Sequence, residues 1–320
     1  MKHKFLQPLD YKTNGYKLKC TFNVVSQVSF WYKGYLVMKK KPEPKMHNKD
    51  TDDGQLAVPN KQQLASTENG IYGSRWKTIH NRYFSDPEVA FPLIEVIKKA
   101  VLTTRPQTIA DLGGGTGFLL EELLKQPELS KTTRLVNVDR SPLQLSENRN
   151  HRIIHIQTSI DKITRNQLQP NENGLMLVSR SLLHYFGEAD LTPLLKHIRS
   201  QMKTGEFFIH QSACFQNARD AACLNLLYKL MSTQKWFTTI DALKSILAET
   251  GFHVYAICPA TKIQLDSADL TERYHLKPKQ RTLIKKQIEQ QYGQKPQVYT
   301  CSPDHFTAWL HYNIFSCKAI

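Results

Sequence analysis

The stretch Thr108-Ile109-Ala110-Asp111-Leu112-Gly113-Gly114-Gly115-Thr116-Gly117-Phe118-Leu119-Leu120 decides how this chain is read. Thr108 to Ala110 read as a short buried strand that Asp111 closes with an acid. Gly113, Gly115 and Gly117 form a turn, and a helix follows from Thr116 through Glu121, Glu122 and Leu124. A strand that feeds a helix through a glycine turn offers bare backbone amides and a helix N-terminus to a ligand. A dinucleotide site asks for G-x-G-x-x-G, whose third glycine lets the helix pack on the strand. Phe118 takes that place here, and the spacing is D-x-G-x-G-x-G. A carboxylate two residues before the first glycine suits a cationic amino-acid ligand better than a pyrophosphate.

Downstream, strands and helices alternate, which is the pattern of an α/β fold with a parallel sheet. Leu135 to Asp139 is a second strand ending in an acid, and Ser141-Pro142 caps the next helix. An acid at that strand end accepts hydrogen bonds from ribose hydroxyls. Asp139 therefore argues for a ribose-bearing ligand, with a plain surface acid as the competing interpretation. Ile153 to Gln157 is a third strand, running into Thr158-Ser159-Ile160-Asp161. Leu175 to Ser179 is a fourth, and Glu206 to Gln211 a fifth, entered from a helix over Leu191 to Met202. A sixth spans Phe252 to Cys258, after a helix that ends at Gly251, and Phe306 to Ala319 is the last.

Ligands of open α/β sheets bind outside the carboxyl ends of the strands. Ser179 to His184, and His210, should therefore face the pocket. His184 and His210 are the candidate general bases. For each, a histidine that packs under or caps a helix is the competing interpretation. Upstream, Tyr72, Trp76, Ile79, Tyr83 and Phe84 crowd together before Asp86-Pro87-Glu88 opens a helix with a first-turn proline.

The D-x-G-x-G-x-G turn resembles motif I of the class I S-adenosylmethionine (SAM)-dependent methyltransferases. The resemblance implies a Rossmann-like fold, a seven-stranded, mostly parallel sheet with helices on both faces and an antiparallel last strand between the fifth and sixth. It implies SAM as cofactor, with Gly113, Gly115 and Gly117 around its methionine part and Asp111 helping to bind it. Asp139 would meet the ribose, and Ser179 would lie at the pocket. In that family an acid after the third strand meets the adenine amino group, and the next, apolar residue lies against the ring. Ser159 and Ile160 fall at those places, so Ser159 is a departure, and Asp161 is an alternative partner. Leu183-His184 after the fourth strand, the turn at Gly205 and Glu249-Thr250-Gly251-Phe252 are further likenesses; Met202, Thr204 and Glu206 depart from the usual turn. The methyltransferase domain would then cover 67–320 with an insertion at about 261–304, and 1–66 would be a basic extension and linker.

The implied activity is methyl transfer to a small-molecule acceptor. The position after the fourth strand reads Ser179-Arg180-Ser181-Leu182, without the Asn/Asp-Pro-Pro-Tyr/Phe segment of amino-group methylation on adenine or glutamine. There is no Pro-Cys nucleophile for cytosine chemistry. An RNA acceptor is one alternative, and a module that binds SAM or a partner without catalysis is another.

Composition sets the outer bounds. The chain has 320 residues, 40% hydrophobic and 22% charged, enough for a sizeable core. No run of about 18 apolar residues suggests a membrane span; Thr21 to Met38 alternates like a strand or hairpin. The six cysteines have neither C-x-x-C nor zinc-ligand spacing, so a reduced, cytoplasmic protein without a metal is expected. The net charge of +15 is uneven: residues 1–50 hold 11 Lys against three acids, and the other 270 residues carry only +7. A solvated basic tail accounts for this more simply than nucleic acid.

Overall fold

The structure, a computed structural model, describes residues 11–13, 16–18, 78, 80–170, 174–294 and 297–320. The segment Thr21 to Met38, and Tyr72, Trp76 and Ile79, lie outside the described residues. A two-stranded antiparallel hairpin, β1 (Tyr11–Thr13) and β2 (Tyr16–Leu18), comes first.

Helix α1 (Pro87–Thr104) begins where the sequence predicts, with the Asp86 side chain accepting from Glu88 N at 2.9 Å and Pro87 in the first turn. It leads to β3 (Thr108–Leu112) and the glycine turn. Helix α2 (Phe118–Leu124) follows, so Thr116 still belongs to the turn. Then come β4 (Arg134–Asp139), α3 (Pro142–Glu147), β5 (Ile153–Gln157), the single helical turn α4 (Arg165–Leu168), β6 (Leu175–Arg180) and α5 (Gly187–Ser200). The second half holds β7 (Phe207–Phe215), α6 (Ala218–Leu230), β8 (Thr238–Thr239), α7 (Ile240–Glu249) and β9 (Phe252–Asp266). Helices α8 (Ser267–Tyr274) and α9 (Pro278–Tyr292) and the short β10 (Tyr299–Cys301) precede β11 (Phe306–Ala319).

The main sheet runs β5-β4-β3-β6-β7-β11-β9. Its first five strands are parallel, and β11 lies antiparallel between β7 and β9. Two short strands extend the expected seven to nine: β8 pairs with the end of β7, and β10 with the start of β11.

Both faces of the sheet are covered, which is why its central strands are apolar throughout rather than alternating. Ile109, Leu135, Met176 and Val178 turn to one face, under α1 and α2. Ala110, Val136, Leu175 and Leu177 turn to the other, under α5 and α7. A third core, which includes Ile284, Ile288, Leu227, Leu265 and Tyr299, forms where β9 and β11 outrun their neighbours and α6, α8 and α9 pack on them.

Cys214, Cys223, Cys301 and Cys317 form no disulfide, whereas Cys258 is disulfide-bonded, a departure from the all-reduced expectation. Among the described residues no helix is long and apolar enough to cross a membrane, and no cluster of potential metal ligands occurs.

Candidate functional site

The glycine turn sits at the carboxyl end of β3, and its neighbours hold it closed on three sides. Gly113 N and Gly114 N both donate to Val138 O, at 2.8 and 3.2 Å, which ties the turn to β4. Gly113, Gly115 and Gly117 have φ of +69°, +55° and +76°, a region that side chains rarely enter. Space excludes a side chain as well. A Cβ on Gly113 would lie 2.7 Å from Leu182 Cδ1, and one on Gly117 2.5 Å from Asn148 Nδ2.

Gly114 has no positive φ but is as constrained. Its Cβ would lie 2.6 Å from Asp111 Oδ2 and nearer still to Asn137 Oδ1. Asn137 Nδ2 donates to Gly115 O at 2.9 Å, and Asn148 Nδ2 to Thr116 O at 3.0 Å. Sequence reasoning missed Gly114, Asn137 and Asn148. The available signal was a buried amide inside an otherwise aliphatic strand, Val136-Asn137-Val138.

Asp139 is engaged with the same turn. Its Oδ2 accepts from Gly115 N at 2.9 Å and its Oδ1 from Ser141 N at 2.8 Å, so the carboxylate fixes the turn and caps α3. Each oxygen keeps a lone pair for a further donor. Ser159 donates to Asp161 Oδ1, so the two candidates beside β5 are hydrogen-bonded to each other. Ile160 is buried, and its Cδ1 lies 3.4 Å from where a Cβ on Gly113 would be, which brings it to the turn.

Asp111 is almost wholly buried, at 1% exposure, and its Oδ1 has no hydrogen-bond partner. Burial first, then repulsion from Asp139, pushes its pKa up to about 8, against the pull of Arg180. On the neighbouring strand, Ser179 Oγ is also buried without a partner. Three unsatisfied polar atoms, on Asp111, Asn137 and Ser179, thus gather at the carboxyl ends of adjacent strands. Each costs stability unless a ligand or a bound water supplies its partner.

A roof closes over these strand ends. Arg180, the last residue of β6, donates to Tyr83 O at 3.0 Å and Phe84 O at 3.3 Å, and its guanidinium lies 5.3 to 5.9 Å from the ring centres of Tyr83, Phe84 and Phe118. Tyr83 OH accepts from Gln211 Nε2 at 3.1 Å and donates to Thr261 O, pinning residues 80–86 to β7 and β9. Ser181, at φ +61°, bonds the Tyr312 hydroxyl at 2.6 Å. Further out, Arg273 of α8 reaches His80 at 3.1 Å and the Tyr185 hydroxyl at 3.2 Å, while Lys235 lies 4.2 Å from the Tyr185 ring centre.

The two histidines have surroundings unlike those of an exposed base. His210 lies inside β7, its ring stacked on Phe315 at 5.0 Å and its Nδ1 2.8 Å from Ser212 Oγ. Burial lowers its pKa to about 3. His184 is buried against Phe237, ring centres 5.2 Å apart, and burial and then nearby Lys235 hold its pKa well below the ordinary value. Its Nδ1 has no hydrogen-bond partner.

No protein-family model and no curated protein matches the sequence. Solved structures do match the fold. The YcgJ protein of Bacillus subtilis is similar with a TM-score of 0.50 at 10% identity, over 72% of this chain and 99% of that one. A candidate methyltransferase of Bacillus halodurans is similar with a TM-score of 0.51 at 13% identity, over 71% of this chain and 97% of that one. Identities this low speak for the fold alone, and the strand order is the one the family resemblance implies. The chain has the Rossmann-like fold of the class I SAM-dependent methyltransferases.

Proposed function

We propose that this protein is a SAM-dependent methyltransferase with a small-molecule acceptor. The observation that carries this reading is the glycine cradle beside Asp111, whose buried Oδ1 lacks a partner. A dinucleotide would bring a pyrophosphate against that carboxyl group; SAM would bring an ammonium and a sulfonium, the charges a carboxylate favours. The residues fit the cofactor. Gly113, Gly115 and Gly117 leave room along the turn, Asp111 would hold the methionine part, and Asp139 keeps lone pairs that the ribose hydroxyls could use. Ile160 would offer an apolar contact for the adenine ring and Ser159 or Asp161 a hydrogen bond to its amino group, with Ser179 at the pocket.

SAM supplies a methyl group already bonded to a positively charged sulfur, ready for in-line displacement by a nucleophile. What this chain adds is placement and the exclusion of water. The segment 80–86 and Arg180 cover the strand ends. His210 packs the sheet interior and is neutral through the physiological range. His184 is our candidate base. Its low pKa restricts it to acceptors whose own proton is acidic, and for any others positioning alone must serve.

The test is calorimetric titration with S-adenosylhomocysteine, followed by transfer of labelled methyl from SAM into fractionated metabolites and RNA. Label in the metabolite fraction supports the proposal. Label in RNA alone moves the acceptor class, and binding without product leaves a binding module. A folded protein that binds neither cofactor form ends the reading.

A further inference from the structure

We infer that Arg180 anchors the carboxylate of the cofactor's amino-acid end, opposite Asp111, which takes the ammonium. The inference rests on the SAM reading above and assigns a residue that motif I does not contain.

The placement follows from sheet register. β3 and β6 are adjacent and parallel, with Asp111 beside Val178. Side chains two residues apart on a strand share a face, so Arg180 projects from the same face as Val178 and Asp111. That face carries Phe118, the first residue after the glycine turn, and the Arg180 guanidinium lies 5.9 Å from its ring centre. An acid and a guanidinium therefore share one face at the carboxyl ends of neighbouring strands, next to the turn.

A buried carboxyl group and a guanidinium on one sheet face would normally hydrogen-bond to each other, because a buried polar group left unpaired is costly. Here they do not. Arg180 makes no ion pair with Asp111, though each acts electrostatically on the other. Asp111 Oδ1 and Arg180 Nε are both buried without hydrogen-bond partners. The guanidinium is nevertheless fixed in place by the Tyr83 and Phe84 carbonyls and three aromatic rings. Two of its five donors are used there, leaving Nε–H and others for an acceptor. An α-amino acid group answers both vacancies at once, its ammonium on the carboxylate and its carboxylate on the guanidinium. A neutral ligand, or one of a single charge, would leave one of the two unmet.

The experiment compares three ligands by calorimetry: SAM, decarboxylated SAM, and methylthioadenosine, which lacks the amino-acid end altogether. Each is titrated into wild type, Arg180→Met and Arg180→Lys. Wild type should prefer SAM to decarboxylated SAM by about 10- to 100-fold. Arg180→Met should weaken SAM by a similar factor, leave decarboxylated SAM and methylthioadenosine within about twofold, and so erase the preference. Arg180→Lys, which keeps a charge without the planar fork, should lose part of it. Unchanged methylthioadenosine binding also reports that each variant is folded; if Arg180→Met does not fold, the lysine variant and the wild-type preference decide. Equal losses for SAM and decarboxylated SAM would overturn the inference. So would undiminished SAM binding, which would move Arg180 to the acceptor's side. Wild type that binds none of the three would instead remove the SAM reading itself.

Discussion

At Gly114 the backbone is ordinary and the constraint is purely one of space, so the neighbours decide what a substitution does. Gly114→Ala forces a methyl group onto Asp111 Oδ2 and Asn137 Oδ1, both on strands that cannot recede. We expect a loss of about 1–3 kcal/mol in denaturant unfolding and of at least about tenfold in S-adenosylhomocysteine affinity. Asp111 sets a second expectation. With a pKa near 8 it holds its proton at neutral pH, and an ammonium ligand binds only the ionised form. Affinity should therefore rise with pH by up to about tenfold per unit until it levels near 8. Calorimetry from pH 6 to 8.5 reads this slope, and Asp111→Asn should abolish it.

Among the elements, the turn into β7 explains a departure that looked arbitrary in sequence. Glu206 stands where the family resemblance led us to expect glycine, and both its oxygens are occupied. It receives Arg165 at 2.6 and 2.7 Å, Lys203 N at 2.7 Å and Leu175 N at 3.1 Å, joining α4 to the starts of β6 and β7. Removing one partner of a buried ion pair strands the other. Glu206→Gln should cost about 3 kcal/mol in denaturant unfolding, by the same reasoning. It should leave S-adenosylhomocysteine binding unchanged, because this turn lies at the amino end of β7 and the glycine turn at the carboxyl end of β3. A change in affinity without loss of stability would refute that separation.

Strand lengths were harder to read than strand positions. Phe252 to Cys258 was expected as the sixth strand, yet β9 continues to Asp266. Pro259 reads as a stop because it cannot donate to a ladder. β9 pairs only with β11, however, so it is an edge strand, where the missing N–H costs little. The expected start of the inserted segment near 261 accordingly falls inside β9, and α8 begins only at Ser267. Caps were legible where proline marks the first turn, since Asp86 and Ser141 both act on amides within three positions.

For the whole molecule, buried histidines set the response to acid. Burial lowers His80 to about 4 and His210 to about 3, and His184 lies well below its usual value. Their folded pKa values are below the unfolded one near 6.5. Their stabilisation is thus complete above pH 6.5 and is lost as pH falls toward 4, by up to about 1.4 kcal/mol per unit for each. Asp111, raised to about 8, runs the other way: folding gains as pH falls from 8 toward 4. Three groups outweigh one in acid, so the free protein should melt highest near pH 6.5 and fall steeply toward pH 4.5. It should decline gently toward pH 8.5, and S-adenosylhomocysteine should remove that decline. Thermal melts at these three pH values, with and without the ligand, check both limbs.

The sequence by itself determined the glycine turn, the alternation of strands and helices, the helix starts and the carboxyl strand ends that carry the candidate site. Those features rest on backbone sterics and hydrogen bonds between residues a few positions apart, which any local stretch carries with it. Tertiary structure alone decided that Asn137 and Asn148 brace the turn, that His210 is sealed inside the sheet, and that Arg180 shares a sheet face with Asp111 without pairing to it. Those facts join residues about 20 to 110 positions apart. They depend on strand order and register, which no short stretch of chain specifies.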